Sequence, residues 1–315
     1  DLHSFPTRRS SDLRTYFWGG MNDLTQRQIR TLHSLSFTDD PTRMIRAIRF
    51  EQRFAFTIEA NTLERLRLSG SLLKQVSGQR IRHEFQLLFK ESDPPACFAR
   101  LEALGLLKNV HPDLHWTTQD TADYRRLVAF PFDSAWIEAD AELPDFLASW
   151  GGLISWLGTE RRTTIEALCD RFQFPARVAA AIRGLESLFS GFAAKLKSRR
   201  SEAVFFLEKV PFASLFCYDA MSDDAAIHAF LRDYLCGWRH RRPATDGAFL
   251  KKMGYPPGAW MREVLDRLRA ARIDGEIERD EEEAALRMRL ISELEREGAL
   301  DRTERKGGTG ERMVG

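Results

Sequence analysis

The sequence predicts a mostly α-helical protein of one large or two modest folded units, and three observations carry that reading. The 315 residues are 43% hydrophobic and 30% charged, enough apolar surface for a real core and too much for a collagenous or wholly disordered chain. Apolar residues recur at helical spacing from about residue 24 to about residue 296. Alternating β-branched runs bounded by turn signals are nearly absent, which argues against strands. The 47 Lys and Arg nearly cancel the 46 Asp and Glu, leaving a formal charge of +1. Any anion-binding surface is therefore local rather than a general basic coat. Cys97, Cys169, Cys217 and Cys236 lie far apart with no CxxC pair, which suggests neither a disulfide framework nor a structural zinc site and suits a reducing cytoplasm.

Residues 1–13 carry no apolar stretch flanked by a cleavage site, so they are not a signal peptide. They are similar to a translated sequencing-adapter string, which sets the expectation that they are non-native and that the protein extends further upstream. Gly19-Gly20 then turns into a short segment, 24–35, readable as a helix or as the edge of a sheet. Asp40-Pro41 starts a clear helix that runs to about Phe54, with Asp as cap and Pro at the first helical position. Further helices are expected over 59–69, from Gly78 to about Lys90, and from Cys97 to about Leu104, with Asp93-Pro94-Pro95 and Gly105 as breaks.

Residues 121–234 read as helical but poor in motifs, with Trp136, Trp150, Trp156, Phe172 and Phe189 available for core. The longest uncharged run, 146–159, has 14 residues including three glycines. It falls short of the roughly 20 needed to span a bilayer, and predicts a buried helix pair with its turn and no membrane partner. A basic break at 238–243 leads to a helix over 259–272, where Trp260, Met261, Val264, Leu265 and Leu268 share a face. Asp274-Gly275 then turns into a charged helix over 280–297, and the polar, Gly-rich end, 301–315, is expected to be disordered.

The most informative stretch is Phe37-Thr38-Asp39-Asp40-Pro41-Thr42-Arg43-Met44-Ile45-Arg46-Ala47-Ile48-Arg49-Phe50. On a helix, Arg43, Arg46, Arg49 and Arg53 fall within an arc of about 120° while Met44, Ile45 and Ile48 face away. Like charges three or four residues apart repel by about 0.2–0.5 kcal/mol per pair. The stripe is therefore either a solvated basic face capped by Asp40, or a surface that waits for an anion or for partner carboxylates. Guanidinium suits phosphate because its fixed fork matches the oxygens.

Asp39, Asp40, Arg43, Arg46, Ala47, Arg49 and Phe50 fill the pattern acid-Asp-x-x-Arg-x-x-Arg-Ala-x-Arg-Phe. In that order they resemble the nucleotide-selecting motif of the class II tRNA nucleotidyltransferase and bacterial poly(A) polymerase family. The surroundings agree. Gly19-Gly20-x-x-Asp23-Leu24 with Ile29-Arg30, and Ser77-Gly78-Gln79-Arg80-Ile81-x-x-Glu84, look like neighbouring family segments, although the family more often has Glu where Gln79 stands. Leu101-x-x-Leu104-Gly105-Leu106-Leu107 and His111-Pro112 continue the similarity. Gly247-x-x-Leu250-x-x-x-Gly254-Tyr255-Pro256-Pro257-Gly258, Ala271-x-Ile273-Asp274-Gly275 and Glu281-Glu282-Glu283 are similar to the tail of longer bacterial members. The likeness is specific over 19–112 and 234–290 and thin between.

The resemblance implies an elongated helical neck (37–112), body (113–236) and tail (237–300), preceded by only a remnant (14–36) of a mixed α/β catalytic head. It implies template-independent addition of C and/or A to tRNA 3′ ends from CTP and ATP. A carboxylate beside a guanidinium complements the amino donor and ring-nitrogen acceptor shared by cytosine and adenine, and mismatches uracil and guanine. By resemblance Asp40 and Arg43 read the base, Arg46 and Arg49 help hold the nucleotide, through phosphate or by bracing that pair, and Asp39 orients Arg43. Arg80 and Glu84, one turn apart, are either an ordinary surface ion pair or a brace of the neck. His83 reads as a helix surface residue. His111 and His115, four apart, lack a third ligand, so no metal site is read from them.

Arg239, Arg241, Arg242, Lys251 and Lys252 are the densest basic cluster of the second half and are readable as RNA-phosphate contacts or as a solvated loop. Nucleotidyl transfer uses divalent cations, and the family's Asp-x-Asp and glycine-rich phosphate loop are absent from this sequence. The expectation is that Mg2+ binds in a head this chain lacks and that the chain alone is inactive. Two alternatives stand beside full CCA addition: A-only or poly(A) addition with the same base pocket, and a non-catalytic helical RNA-binding module.

Overall fold

The computed structural model describes residues 19–159, 165–255, 257–297 and 300. The expectations for 1–13 and 301–315 lie outside the described residues. Among those described there are eighteen α-helices and one two-stranded parallel ladder, as the helical periodicity predicts.

The segment 24–35, read as a helix or as the edge of a preceding sheet, is corrected: it holds only the end of a short helix and a two-residue strand that pairs with a later one, and is otherwise turn and coil. A short helix, α1 (Gly20–Thr25), is followed by strand β1 (Gln28–Ile29), which pairs with β2 (Thr57–Ile58), Gln28 opposite Thr57 and Ile29 opposite Ile58. Parallel strands need a crossover, and here it is α2 (Ser36–Asp39) with α3 (Thr42–Phe54). Asp40 caps α3 as expected, its carboxylate accepting the Thr42 amide at 3.1 Å. Met44, Ile45 and Ile48 are buried on the inner face.

Helix α4 (Ala60–Ser69) starts under the Glu59 carboxylate, which accepts the Asn61 and Thr62 amides, and passes into a 3-10 turn over Gly70–Gln75. Then come α5 (Gly78–Leu88), α6 (Pro94–Ala103) and α7 (Leu106–Val110). Pro94-Pro95, expected as a break, instead forms the first turn of α6. Asp93 caps it through the Ala96 amide, and proline at the first helical positions gives up an amide that has no partner there anyway.

The middle of the chain is α8 (Thr118–Ala129), α9 (Ser134–Ala139), α10 (Leu143–Leu157), α11 (Ile165–Phe172), α12 (Ala176–Lys195), α13 (Arg200–Leu207), α14 (Phe212–Met221) and α15 (Ala225–Cys236). The uncharged run is corrected here: it is one helix, α10, not a helix pair, and Gly151-Gly152 lie inside it. A Cβ on Gly152 would sit 2.3 Å from the Phe89 ring. The glycine therefore serves close packing of α10 on the end of α5, at a cost of about 1 kcal/mol in helix propensity. Around it Phe98 lies between Trp116 and Trp156, with centroids 4.6 and 4.8 Å away, and Phe85 packs edge-on against Phe98 and Trp156.

The last unit is α16 (Gly247–Lys252), α17 (Ala259–Asp274) and α18 (Asp280–Arg296) around a separate small core that includes Leu250, Trp260, Val264, Leu268 and Ile291. Ile273, at the end of α17, belongs to the larger core instead. Glu283, 1% exposed, accepts the Ala244 and Thr245 amides and pairs with Arg272, so the entry to this unit is fixed by a buried, satisfied carboxylate.

Gly78 opens α5 against the end of α11, where an added Cβ would lie 1.7 Å from the Arg171 carbonyl oxygen. Gly78→Ala is expected to lower stability by about 3 kcal/mol or more, the upper end for overpacking, in urea denaturation. Gly191→Ala, in open space on α12, is expected to raise it by about 0.5–1 kcal/mol.

Candidate nucleotide-binding site

The arginine stripe on α3 is sorted by what stands across from it. Arg53 makes a bidentate pair with Glu91, at 2.8 and 2.6 Å. Arg49, only 7% exposed, lies between Glu84 at 3.5 Å and Glu91 at 3.7 Å, and its guanidinium sits 5.1 Å from the Phe50 ring centre. Arg46 is half-exposed and reaches Glu84 only at 3.9 Å. Arg43 is exposed, donates to the Ser36 carbonyl at 3.2 Å, and has no carboxylate partner among the described residues. The C-terminal half of the stripe is thus neutralised by partner carboxylates, and its N-terminal half is left open to an anion or a base.

Glu91, in the turn after α5, was not singled out in the sequence, and no local signal there points it at α3. Of the two readings of Arg80 and Glu84, the ion pair within α5 is not formed. The Arg80 Nη2 donates to Asp40 Oδ1 at 2.7 Å, while Glu84, 5% exposed, turns inward to Arg49 and Arg46. The cause is facial: Arg80 lies on the exposed side of α5 and Glu84 on the side packed against α3. Burial pushes the Glu84 carboxyl above the usual range, and the charges of Arg49 and Arg46 offset this only in part.

Asp40 receives three donors, all on Oδ1: the Thr42 amide at 3.1 Å, the Thr42 hydroxyl at 2.7 Å and Arg80. Burial opposes its charge, but the hydrogen bonds from Thr42 and the Arg80 guanidinium outweigh that and hold the carboxyl below its usual range. Asp39 is exposed and lies 3.8 Å from His33 Nε2. It is therefore not the group that orients Arg43; the Ser36 carbonyl is. His83 is exposed, as expected of a surface position.

A cavity of about 340 Å³ opens beside this end of α3, lined by Arg43, Arg46, Ala47 and Phe50 together with Phe37, His33 and the 29–32 segment. Asp40 stands outside that lining, held toward α5 by Arg80. The cavity's two incompletely neutralised guanidinium groups suit a phosphate.

The basic cluster of the second half is divided. Arg239 lies over the Phe212 ring at 5.0 Å, Arg241 donates to the Arg272 carbonyl, and Arg242 donates to the Arg239 and Arg241 carbonyls. Arg239 and Arg241 tie this segment to the middle and to the last unit, and Arg242 folds the segment on itself, whereas Lys251 and Lys252 are exposed in the last turn of α16. No three His, Cys, Asp or Glu side chains converge as metal ligands among the described residues. The carboxylates nearest the stripe, Asp40, Glu84 and Glu91, are each engaged by arginine. The Mg2+ implied by the resemblance does not fit these residues.

Residues 55–117 match the family model described as "Probable RNA and SrmB- binding site of polymerase A". The A-adding tRNA nucleotidyltransferase of Geobacter sulfurreducens is 30% identical over 283 residues, covering 87% of this chain and 32% of that protein. The CC-adding tRNA nucleotidyltransferase of the same organism is 28% identical over 290 residues, covering 82% of this chain and 65% of its own length. Among solved structures, the CCA-adding enzyme of Thermotoga maritima complexed with tRNA superimposes with a TM-score of 0.61 at 25% identity, covering 88% of this chain and 67% of that one. By these likenesses the chain is similar to the class II tRNA nucleotidyltransferases. The likeness is to their helical C-terminal portion, and the chain spans about a third of the first curated relative and under two-thirds of the second.

The buried and exposed pairs of the arginine stripe are expected to differ in worth. Glu84→Ala leaves Arg49 buried with only the longer contact to Glu91, and should cost about 2–3 kcal/mol, the desolvation of a charged donor. Arg53→Ala removes a half-exposed partner and should cost under about 1 kcal/mol. Thermal and urea unfolding of the two variants compares them directly.

Proposed function

We propose that this chain carries the nucleotide-selecting and RNA-engaging part of an enzyme that extends tRNA 3′ ends with C and/or A from CTP and ATP. One observation carries the reading: on a stripe whose other end is neutralised, Arg43 has no carboxylate partner among the described residues and stands one turn from Asp40, whose Oδ2 accepts no hydrogen bond among them. An open carboxylate oxygen accepts the exocyclic amino group of C or A. An open guanidinium donates to the ring nitrogen beside it. Arg46 is placed to meet phosphate at the cavity. Arg49 braces the helix from behind and does not contact the nucleotide.

Cytosine and adenine satisfy this pair alike, so CCA, CC, A-only and poly(A) addition share it. The names of the relatives, A-adding, CC-adding and CCA-adding, cover the first three of these. RNA contact is assigned to the 55–117 segment, with Lys251 and Lys252 as a further basic contact. The alternative of a helical module that binds RNA without selecting a nucleotide predicts no base preference at all. The described residues supply selection and RNA contact, and no step of the transfer chemistry is assigned to them. No helix of the described residues is long and apolar enough to cross a membrane.

Titrating the chain with each of the four nucleoside triphosphates, followed by NMR, tests the proposal. ATP and CTP are expected to bind at least about fivefold more tightly than GTP and UTP, the lower end of what one bidentate base contact discriminates. Asp40→Ala and Arg43→Ala should each erase the preference while leaving tRNA binding largely intact. Equal binding of all four nucleotides, or a preference that survives both substitutions, contradicts it.

A further inference from the structure

The three donors on Asp40 all fall on one oxygen, and they come from two residues outside the base-reading pair. Thr42, 3% exposed, gives its amide and its hydroxyl, and Arg80 reaches across from α5. A carboxylate whose two oxygens are equivalent turns freely about its last bond and presents either oxygen. One whose Oδ1 is held three ways cannot turn, so Oδ2 keeps a fixed direction.

We propose that Thr42 and Arg80 are positioning residues for base selection: by occupying Oδ1 of Asp40 they leave Oδ2 as a dedicated acceptor. This rests on the base-reading role of Asp40 given above. It also adds a second function, which is protection against misreading. A protonated Asp40 donates an O–H, which suits the carbonyl of uracil or guanine and relieves one of the two mismatches that reject those bases. Three donors on Oδ1 favour the ionised form, in keeping with the lowered carboxyl range of Asp40. Removing them leaves the opposing effect of burial. The other charged groups around Asp40 are Arg43 and Arg46 on α3, Glu84 and His83 on α5, and Asp39 with His33 at α2. Glu84 bears on Asp40 with like charge, which also favours protonation once Arg80 is removed.

The test compares Thr42→Val and Arg80→Gln with the unsubstituted chain, titrating ATP, CTP, GTP and UTP at about pH 8 and about pH 6, both above the usual carboxylate range, so that only an upward-shifted carboxyl titrates between them. Each protein is also made in a His33→Gln background so that the imidazole lining the cavity does not contribute to the difference. Arg80 is exposed, so Arg80→Gln keeps the fold even if the buried Thr42→Val does not. The unsubstituted chain is expected to keep the same ATP and CTP preference at both pH values. The two variants should lose roughly fivefold or more of it at the lower pH, and less at the higher. Variants whose preference matches the unsubstituted chain at both pH values overturn the positioning role. Asp40→Asn separates the two levels of the argument: it keeps an oxygen under the three donors and turns an amide N–H outward, so the preference for ATP and CTP should vanish. If that substitution leaves the preference intact, the base-reading role itself is wrong.

Discussion

Glu84 and Glu91 face α3 from α5 and the turn that follows it, and the ion pairs they make with Arg49 and Arg53 set the electrostatics of everything around them. Four arginines on one stripe repel one another, and two carboxylates cannot neutralise four cations. The distances fix which are satisfied: Arg53 by a close bidentate pair, Arg49 by two longer contacts within the protein, Arg46 marginally, and Arg43 by a backbone carbonyl alone. Positive charge is therefore spent on joining two helices at one end of α3 and conserved for a ligand at the other. The burial that raises the Glu84 carboxyl and the hydrogen bonds that lower the Asp40 carboxyl are two sides of this arrangement.

The rest of the fold holds α3 and α5 in that register. Gly78 lets the start of α5 approach the end of α11, and Gly152 lets α10 close over Phe89 at the other end of α5. The aromatic group of Phe85, Phe98, Trp116 and Trp156 lies between. Glu51, on the buried side of α3, pairs bidentately with Arg100 of α6 and accepts the Ile58 amide of β2. Helix α3 is thus tied from more than one side by groups that take no part in base reading, as a preorganised site requires.

Helix existence and most boundaries were legible because they depend on local signals, such as Asp40-Pro41 at α3 and Asp274-Gly275 at the end of α17. The misreadings came where a tertiary contact overrode a local rule. Gly151-Gly152 looked like a turn, but the neighbour that requires glycine there is Phe89, some sixty residues earlier in sequence. Pro94-Pro95 is a different, local case: the pair reads as a break, yet Asp93 caps the helix that the two prolines open. In the site, the identity and order of Asp40, Arg43, Arg46 and Arg49 were readable from spacing, whereas their partners were not. Arg80 and Glu84 have the spacing of an ion pair on one helix, yet the structure sends one to Asp40 and the other to Arg49, because pairing is decided by which helix packs against which face. The division of the arginines between scaffold and ligand follows from that packing and leaves no trace in the sequence of α3 itself.

The central claim is that division, and side-chain NMR of the arginine Nε–Hε groups measures it most directly, with CTP or ATP added to the chain. The account predicts that the Arg49 and Arg53 resonances are protected from solvent exchange beforehand and barely move, while Arg43 exchanges freely and shifts on binding, with Arg46 intermediate. Equal exchange for all four, or nucleotide-induced shifts spread evenly along the stripe, would show that α3 is a uniformly solvated basic face and would contradict the account.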